Sequence, residues 1–395
     1  MSIEINHKRP LHLFEGYGVE LEYAIVNRNT LDINPVADKI LEFQAGSVVN
    51  EVNVGNLAWC NELVLHVIEL KTNGAAVDLF NLDRAFQDQI VSINKILESF
   101  DSCLMPGAIH PWMNPFNGVQ LWPHDYNPIY ESYNRIFNCS GHGWSNLQST
   151  HLNLPFYGDE EFQKLHAALR VILPLIPAIA ASSPVADSSL KPFLCYRMEM
   201  YRTNSIKIPS ITGLVVPEAI FSRQQYQEQV LDKMYQDIAP HDPDNILQEE
   251  WLNSRGLMPR WDRHTIEVRV IDNQECPAAD IAILQWIVAL TKALVNEEFC
   301  SLGTQMNWHE QELYSILMQT IKEGEKAVIS NKRYLKMFGF KQSAVKASEL
   351  CAHIFNQLNP ENEFSKEAVG HLEIIFREGT LATRILNSIP ASVRK

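Results

Sequence analysis

Segments of strand character lie mainly in the first 275 residues of the chain, and helical segments close it. The strand candidates are rich in β-branched and aromatic residues and alternate apolar with polar side chains. They do not alternate regularly with helices, as the strands of parallel βαβ folds do. This order predicts an α+β fold with a mainly antiparallel sheet. The strand candidates are residues 18–27, 59–71, 103–109, 149–156 and 264–272.

The helix candidates carry apolar side chains at helical spacing. In residues 78–100, Asp78 occupies the position of an N-cap. Residues 159–181 contain Pro174 and Pro177, which should bend or end that helix. From about residue 308 onward the sequence predicts helices only. Further helices are predicted near residues 128–137, 221–238 and 278–299.

The charge balance argues against nonspecific nucleic-acid binding. The chain has 33 basic and 47 acidic residues, a formal net charge of −14, whereas such binding requires a basic surface. The acidic excess most simply serves solubility, but it can also arise from carboxylates gathered around metal ions. No GxGxxG follows a strand and no GxxxxGK[ST] occurs, so a Rossmann or P-loop nucleotide site is unsupported.

The cysteine pattern indicates a reducing compartment. The seven cysteines form no CxxC pair, which argues against a cysteine zinc site, and we expect a cytoplasmic protein. The first fourteen residues lack an apolar signal segment. The longest apolar run, residues 171–181, contains two prolines and falls short of the ~20 residues that span a membrane. We therefore expect a buried helix there and no membrane association.

Two carboxylates share one face of the first strand. Glu20 and Glu22 lie two residues apart in GVELEYAIVN, so their side chains point to the same side of a sheet. Val19, Leu21 and Tyr23 point to the other side, which suits a core. Adjacent carboxylates repel each other and need solvent, shared protons or a cation. For this pair alone, a solvated sheet face and a metal site are equally compatible with the pattern.

A second acidic pair lies in CNELVLHVIELKTN. Glu69 sits between Ile68 and Leu70, and an isolated buried carboxylate is costly unless it is paired or bound to metal. A salt bridge to an arginine is the alternative. Glu62 lies seven residues earlier, so in one unbroken strand it would face the opposite side. Both acids can serve one site only if a bulge or a turn separates them.

Two further strands add an imidazole and an acid. His151 lies on one face of the strand QSTHLNLPF, although a lone histidine is more often structural. Glu267 lies beside Arg269 in the strand HTIEVRVID, where the two charges can simply neutralise each other. Together the strands offer acids and a histidine on polar faces. Such ligands suit Mg²⁺ or Mn²⁺, and protein-bound Mg²⁺ commonly also binds substrate phosphates. The pattern therefore indicates metal-dependent phosphoryl chemistry, with Arg269 placed to bind a phosphate oxygen.

Six short motifs resemble those of the glutamate–cysteine ligase type 2 family, a family of carboxylate–amine ligases. They occur in the family's order and with similar spacing over about residues 13–300. Glu62 also lies where the family often has another acid. The family's glycine after its SSP motif is Ser188 here, a difference that bears on substrate identity. The motifs are GVELE at 18–22, IELKT at 68–72, IHP at 109–111, QSTHLN at 148–153, SSP at 182–184 and IEVRVID at 266–272.

The resemblance implies a glutamine-synthetase-like fold. In such a fold a curved, mainly antiparallel sheet forms an active-site funnel with metal ions at its floor, and helices cover the outer face. The resemblance also implies a catalytic domain over residues 1–305 and a helical extension, residues 306–395, packed on the same domain. It implies one metal ion held by Glu20, His151 and Glu267, and another held by Glu22, Glu62 and Glu69.

The activity implied by the resemblance is an ATP-dependent ligation in two steps. The γ-carboxylate of glutamate, or a similar carboxylate, attacks ATP and gives an acyl phosphate; cysteine or another amine then displaces phosphate. Arg269 would bind ATP and neutralise the transferring phosphoryl group beside Glu267. Arg197 and Arg202 fall where the family binds substrate, with a structural salt bridge as an equal alternative for each. Mg²⁺ is the expected ion, with Mn²⁺ as the alternative.

Three other activities stay open on the sequence alone. They are a phosphagen-kinase-like transfer to a guanidine, a non-catalytic regulatory role in the same fold, and a metal-dependent phosphoesterase that needs no amine. The expected partners are small-molecule substrates and neither nucleic acid nor membrane. A homo-oligomer is compatible with the sequence.

Overall fold

The structure, a computed structural model, describes residues 10–390. The first fourteen residues, in which no signal segment is predicted, and the outer ends of both predicted domains therefore lie partly outside the described residues. The strands of the described part, in chain order, are β1 (Gly18–Asn27), β2 (Glu51–Val54), β3 (Leu57–Asn61), β4 (Val67–Thr72), β5 (Ser102–Met105), β6 (Ser149–Pro155), β7 (Val185–Ala186), β8 (Ser189–Leu190), β9 (Leu257–Arg260), β10 (Thr265–Asp272), β11 (Val328–Ile329) and β12 (Val345–Lys346).

An eight-stranded sheet forms the centre of the fold. Its strand order is β2-β3-β4-β1-β6-β10-β9, and β5 pairs with the second half of β1. Its pairs are antiparallel, so the predicted α+β class with a mainly antiparallel sheet is confirmed. On β1, Val19, Leu21 and Tyr23 are buried in the hydrophobic core, which leaves the opposite face of the strand for its acids.

Helices surround the core on which this sheet rests. In chain order they are α1 (Ala37–Ala45), α2 (Leu82–Leu97), α3 (Asn127–Phe137), α4 (His142–Ser145), α5 (Gly158–Ile172), α6 (Pro177–Ala180), α7 (Tyr196–Tyr201), α8 (Arg223–Tyr226), α9 (Asp232–Ile238), α10 (Pro277–Val295), α11 (Leu302–Met306), α12 (Glu310–Glu323), α13 (Lys332–Met337), α14 (Ala347–Gln357), α15 (Pro360–Glu363), α16 (Lys366–Glu378) and α17 (Leu381–Ser388).

The central helix α10 packs against α2, α5 and α16. Among residues 10–390 it alone is long and apolar enough to cross a membrane by length and composition. The 18-residue window that meets this criterion is 83% buried inside the protein, as expected for a core helix.

The two prolines of residues 159–181 break the predicted helix as expected. α5 ends at Ile172, a 3₁₀ turn (Leu173–Leu175) contains Pro174, and α6 begins at Pro177. Proline lacks the N–H that a helix interior needs and clashes with the preceding turn, so the segment folds as three short pieces.

Four predicted elements differ in the structure. The predicted strand 103–109 is shorter, since β5 ends at Met105. α2 begins at Leu82, because Asp78 Oδ1 accepts a hydrogen bond from Phe80 N (2.8 Å) in a local turn and does not cap the helix. The predicted strand 59–71 is two strands, β3 and β4, joined by a turn. The prediction of helices only after residue 308 is wrong, since β11 and β12 form a two-stranded ribbon. That ribbon is too short to show an alternating pattern in the sequence.

The C-terminal helices share the core of the preceding residues. Thr320 Oγ1 donates to Pro174 O (2.6 Å), and Tyr334 Oη donates to Val171 O (2.7 Å). Both acceptors lie at the proline break after α5, where carbonyl groups lack helical partners. The division of the chain at residue 305 stays a prediction.

A buried carboxyl group links α10 to the back of β6. Asp280 Oδ1 accepts hydrogen bonds from Thr150 Oγ1 (2.6 Å) and Gln274 N (3.0 Å). Its Oδ2 has no hydrogen-bond partner among the described residues. Burial raises the pKa of Asp280 to about 8.

Because the pKa of Asp280 is higher in the folded protein than in the unfolded chain, folding should take up a proton between about pH 4 and pH 8. The free energy of unfolding should therefore fall as pH rises through this window. Asp280→Asn removes this contribution. The free energy of unfolding of the variant minus that of wild type should therefore be higher at pH 8 than at pH 5, by on the order of a few kcal/mol. Urea unfolding at both pH values measures the difference. Asp88→Asn, on the exposed face of α2, is the control. If Asp280→Asn differs from wild type by the same free energy of unfolding at both pH values, the raised pKa given to Asp280 is wrong.

Candidate metal centre

The register of three strands brings the predicted acids together. Glu20 on β1 lies opposite His151 on β6, and Glu22 on β1 lies opposite Glu69 on β4. His151 Nδ1 is 2.9 Å from Glu20 Oε2. Glu22 Oε2 accepts hydrogen bonds from Ser149 N (2.7 Å) and Ser149 Oγ (3.0 Å). Residues far apart in sequence thus meet on one sheet face.

The side chains form two overlapping groups. One ligand atom each from Glu20, Glu69 and His151 lie within 4.8 Å of one another, and so do atoms from Glu22, Glu62 and Glu69. Glu69 belongs to both groups. The donors are hard carboxylate oxygens with one imidazole nitrogen, which fits Mg²⁺ or Mn²⁺. The second group contains the three acids that the resemblance implied for one metal ion.

A turn places Glu62 in this group. β3 ends at Asn61 and β4 begins at Val67, so the chain reverses between Glu62 and Glu69. This is the geometry that the sequence required if both acids were to face one site. The hydrogen bond of Asn61 Nδ2 to Glu62 O (3.1 Å) lies at the start of the turn.

Glu267 lies at the edge of the cluster. Its Oε1 is 3.7 Å from His151 Nδ1 and accepts a hydrogen bond from Arg269 Nη1 (2.7 Å). The compact group around His151 and Glu20 contains Glu69 in the place where the resemblance implied Glu267. The side-by-side placement of Glu267 and Arg269 agrees with the strand pattern, and the role of Glu267 as a ligand stays a prediction.

Gly18 of the GVELE motif has a steric role. A Cβ atom at this position would lie 2.9 Å from Cβ of Asn153 on the neighbouring strand. Asn153 Nδ2 donates a hydrogen bond to Glu20 Oε1 (3.1 Å). Glycine therefore lets β1 and β6 approach closely enough for Asn153 to orient Glu20.

Burial and mutual repulsion dominate the electrostatics of the acids. Burial, followed by the charge of Glu22, raises the pKa of Glu62 to about 8. Burial, followed by the charge of Glu20, raises the pKa of Glu69 well above its usual value. Burial opposes the charged form of Glu20 too, but the hydrogen bond with His151 and nearby cations outweigh it and lower that pKa to about 2. Like charges placed opposite each other in a sheet are destabilising, and a divalent cation would remove this repulsion.

The cluster opens into a cavity of 580 Å³. A second cavity, of 430 Å³, is lined in part by Glu20 and shares Glu51, Lys71 and Arg263 with the first. The larger cavity therefore combines an acidic floor with cationic and aromatic walls. Its basic side chains are Lys71, Arg197, Arg260, Arg263 and Arg269, and its aromatic side chains are Tyr126, Tyr130, Tyr133, Trp144, Tyr201 and Trp251.

The two predicted substrate arginines occupy different positions. Arg197 lines the larger cavity, but its buried guanidinium donates from Nε to Asp272 Oδ1 (2.6 Å). Arg202 is not among the residues that line it and makes two hydrogen bonds of 2.6 Å to Glu199. Both arginines thus form ion pairs, the alternative that the sequence left open, and substrate binding by either stays a prediction.

Sequence reasoning missed Tyr201. It lies four residues after Arg197 on α7, and both side chains line the cavity. Residues four apart share a helix face, whereas Arg202 lies five residues after Arg197 and points elsewhere. Helical spacing from Arg197 was the signal that could have identified Tyr201.

Asp272 joins two of the sequence motifs. Its Oδ2 accepts hydrogen bonds from Ser182 N (3.0 Å) and Ser183 Oγ (2.8 Å), while its Oδ1 binds Arg197. The carboxylate at the end of IEVRVID therefore holds the SSP turn against β10. It fixes α7 beside the cavity.

Comparison with known proteins identifies a family. Residues 17–392 match the glutamate–cysteine ligase family 2. An "Uncharacterized protein" of Archaeoglobus fulgidus is 31% identical over 326 residues, which cover 81% of this chain and 87% of the relative. A protein of Corynebacterium glutamicum named "Putative glutamate–cysteine ligase 2" is 25% identical over 309 residues, covering 75% of this chain and 72% of that protein.

A solved structure of the complex between the prokaryotic ubiquitin-like protein Pup and its ligase PafA aligns with a TM-score of 0.41 at 12% sequence identity. The alignment covers 97% of this chain and 64% of the chain in that solved structure.

The ion pair of Arg197 predicts a difference between the two arginines. Arg197→Ala leaves Asp272 buried without its cation and should lower the free energy of unfolding by about 3–5 kcal/mol. Arg202→Ala breaks a partly exposed pair and should change it by about 1 kcal/mol or less. Urea unfolding of both variants measures the effects. If Arg197→Ala is no more destabilising than Arg202→Ala, the structural role given to Arg197 is wrong.

Proposed function

The chain belongs to the glutamate–cysteine ligase family 2, and we propose that it is an ATP-dependent ligase joining the γ-carboxylate of glutamate, or of a similar compound, to an amine. Family membership supports the broader class, a carboxylate–amine ligase. The observation that carries the proposal is the convergence of acids from separate stretches of chain, with His151, at the floor of one cavity. The amine is cysteine or another amino compound.

We propose that the two overlapping groups hold divalent metal ions, Mg²⁺ or alternatively Mn²⁺. Ligases of this kind generally use ATP with Mg²⁺. Bound there, the ions would shield the charge between the triphosphate and the substrate carboxylate. Glu20, Glu69 and His151 would hold one ion, with Glu267 beside them, and Glu22, Glu62 and Glu69 would hold the other.

The cationic side chains of the cavity suit a triphosphate. Burial opposes the charged form of Arg269, but the charges of Glu267 and of other nearby groups together outweigh it and raise the pKa of Arg269, so its guanidinium stays positive. Lys71 and Arg263 border both cavities, and there they can bind phosphate oxygens while a nucleotide spans the junction. Fixed charges of this kind stabilise a transferring phosphoryl group without reorganisation.

The proposed reaction has two steps. A carboxylate oxygen attacks the γ-phosphorus of ATP, the bond to the β-phosphate oxygen breaks, and an acyl phosphate and ADP form. The amine then attacks the acyl carbon and phosphate leaves, with loss of a proton from nitrogen. No protein nucleophile takes part. Cys60 lines the cavity, but burial, followed by the charge of Glu69, raises the pKa of its thiol strongly and makes it a poor nucleophile.

Glu20→Gln and Glu267→Gln test the proposal. Each should lower turnover by about 100-fold or more, because each removes a charge from the reacting centre, while the fold stays intact. The assay is ADP release with Mg·ATP and glutamate, using a panel of amines that includes cysteine, together with detection of the amide product.

Glu160→Gln, on an exposed part of α5, is the matched control and should keep wild-type activity. Near wild-type turnover in either site variant would remove the metal-site assignment. Three other results would each replace the ligase proposal. A phosphorylated guanidine would indicate a kinase. Phosphate release that requires no amine would indicate a phosphoesterase. Binding of Mg·ATP without any turnover would indicate a regulatory protein.

A further inference from the structure

Two polar atoms of the larger cavity have no role in the function proposed above. Tyr201 Oη and Arg269 Nε are both buried, and neither has a hydrogen-bond partner among residues 10–390. The side chain of Tyr201 is only 7% exposed, and both residues line the cavity. Buried donors almost always have partners in folded proteins, so these two atoms require an explanation.

Neighbouring groups do not supply the missing acceptor. The carboxylate of Glu267 binds Arg269 through Nη1, and the carboxylate of Asp272 binds Arg197. The contact with Glu267 holds Arg269 through Nη1 and leaves its Nε–H without a hydrogen-bond partner among residues 10–390. Tyr201 is held by α7, which the Asp272 contacts anchor to β10. Two buried donors of residues that line the same cavity therefore lack an acceptor among residues 10–390.

The chemistry of the donors defines the ligand. A phenol O–H and a guanidinium N–H both donate to oxygen, and a positively charged donor favours an anionic one. Arg269 also contacts Glu267, which lies 3.7 Å from His151 at the edge of the metal cluster. An oxygen bound by these donors would therefore sit beside the site where the γ-phosphate must meet the substrate carboxylate.

We propose that Tyr201 and Arg269 form an oxyanion site for the reacting carboxylate, which makes Tyr201 a catalytic residue. This inference rests on the proposed function. The bound oxygen is the one that is not phosphorylated, and it becomes the carbonyl oxygen of the acyl phosphate. When the amine attacks, the C–N bond forms and the carbonyl electron pair moves to this oxygen. The pair returns as the bond to phosphate breaks, so both donors bind the oxygen most strongly while it carries the negative charge.

Tyr201→Phe removes the hydroxyl group and little else. We expect kcat to fall about 100-fold, the loss typical of one oxyanion donor, and KM for the carboxylate to rise. The KM for ATP should stay within about twofold of wild type, because triphosphate binding depends on other side chains. The free energy of unfolding should not decrease, since the hydroxyl has no hydrogen-bond partner among residues 10–390.

Tyr23→Phe is the matched control. Tyr23 is 2% exposed and lies on β1, on the face opposite the acids, so the same deletion there should leave kcat and both KM values unchanged. Both variants are assayed with Mg·ATP, glutamate and the most active amine of the panel.

Four results would overturn the inference. Wild-type kinetics in Tyr201→Phe would show that the hydroxyl does not touch the reacting group. An equal loss in Tyr23→Phe, or a loss of stability in Tyr201→Phe, would indicate a structural role. If the wild-type protein releases no ADP with any amine of the panel, the proposed function fails and this inference fails with it. Activity in wild type with no change in Tyr201→Phe leaves the ligase proposal standing.

Discussion

The antiparallel pairing of β1 with β4 and β6 is the interaction on which the site depends. It sets Glu22 opposite Glu69 and Glu20 opposite His151. The apolar face of the same strand is buried in the core, so a shift of one residue would turn apolar residues toward the cavity and place the acids in the hydrophobic core. Core packing therefore fixes the register, and the register brings the carboxylates together despite their repulsion.

The repulsion is what the proposed metal ions would relieve. Burial, followed by the charges of neighbouring acids, raises the pKa of Glu62 and of Glu69. Holding these carboxylates close together costs electrostatic free energy. Proteins retain such unfavourable arrangements mainly at functional sites. The cationic side chains that line the same cavity, among them Lys71 and Arg269, supply complementary charge for a polyphosphate.

Strand alternation predicted which side chains share a face, because that rule is local. It placed Glu20 and Glu22 correctly on one face of β1, and it required a turn between Glu62 and Glu69, which the structure contains. The meeting of His151 with Glu20 was implied only by the family resemblance. Strand alternation could not reveal that Glu69 is common to both groups. That fact depends on the pairing of β4 with β1, and the position of Glu267 depends equally on its contact with Arg269. In the same way, the isolated sequence of α7 did not show that Arg197 binds Asp272 while Tyr201 faces the cavity.

The count of bound metal ions tests the central claim most directly. Mn²⁺ binding followed by electron paramagnetic resonance, with a nonhydrolysable ATP analogue present, should show two ions per chain, one for each group of ligands. Glu69→Gln should weaken both sites, because Glu69 is the ligand they share, whereas Glu42→Gln, in the last part of the surface helix α1, should weaken neither. Unchanged Mn²⁺ binding in Glu69→Gln would contradict the account.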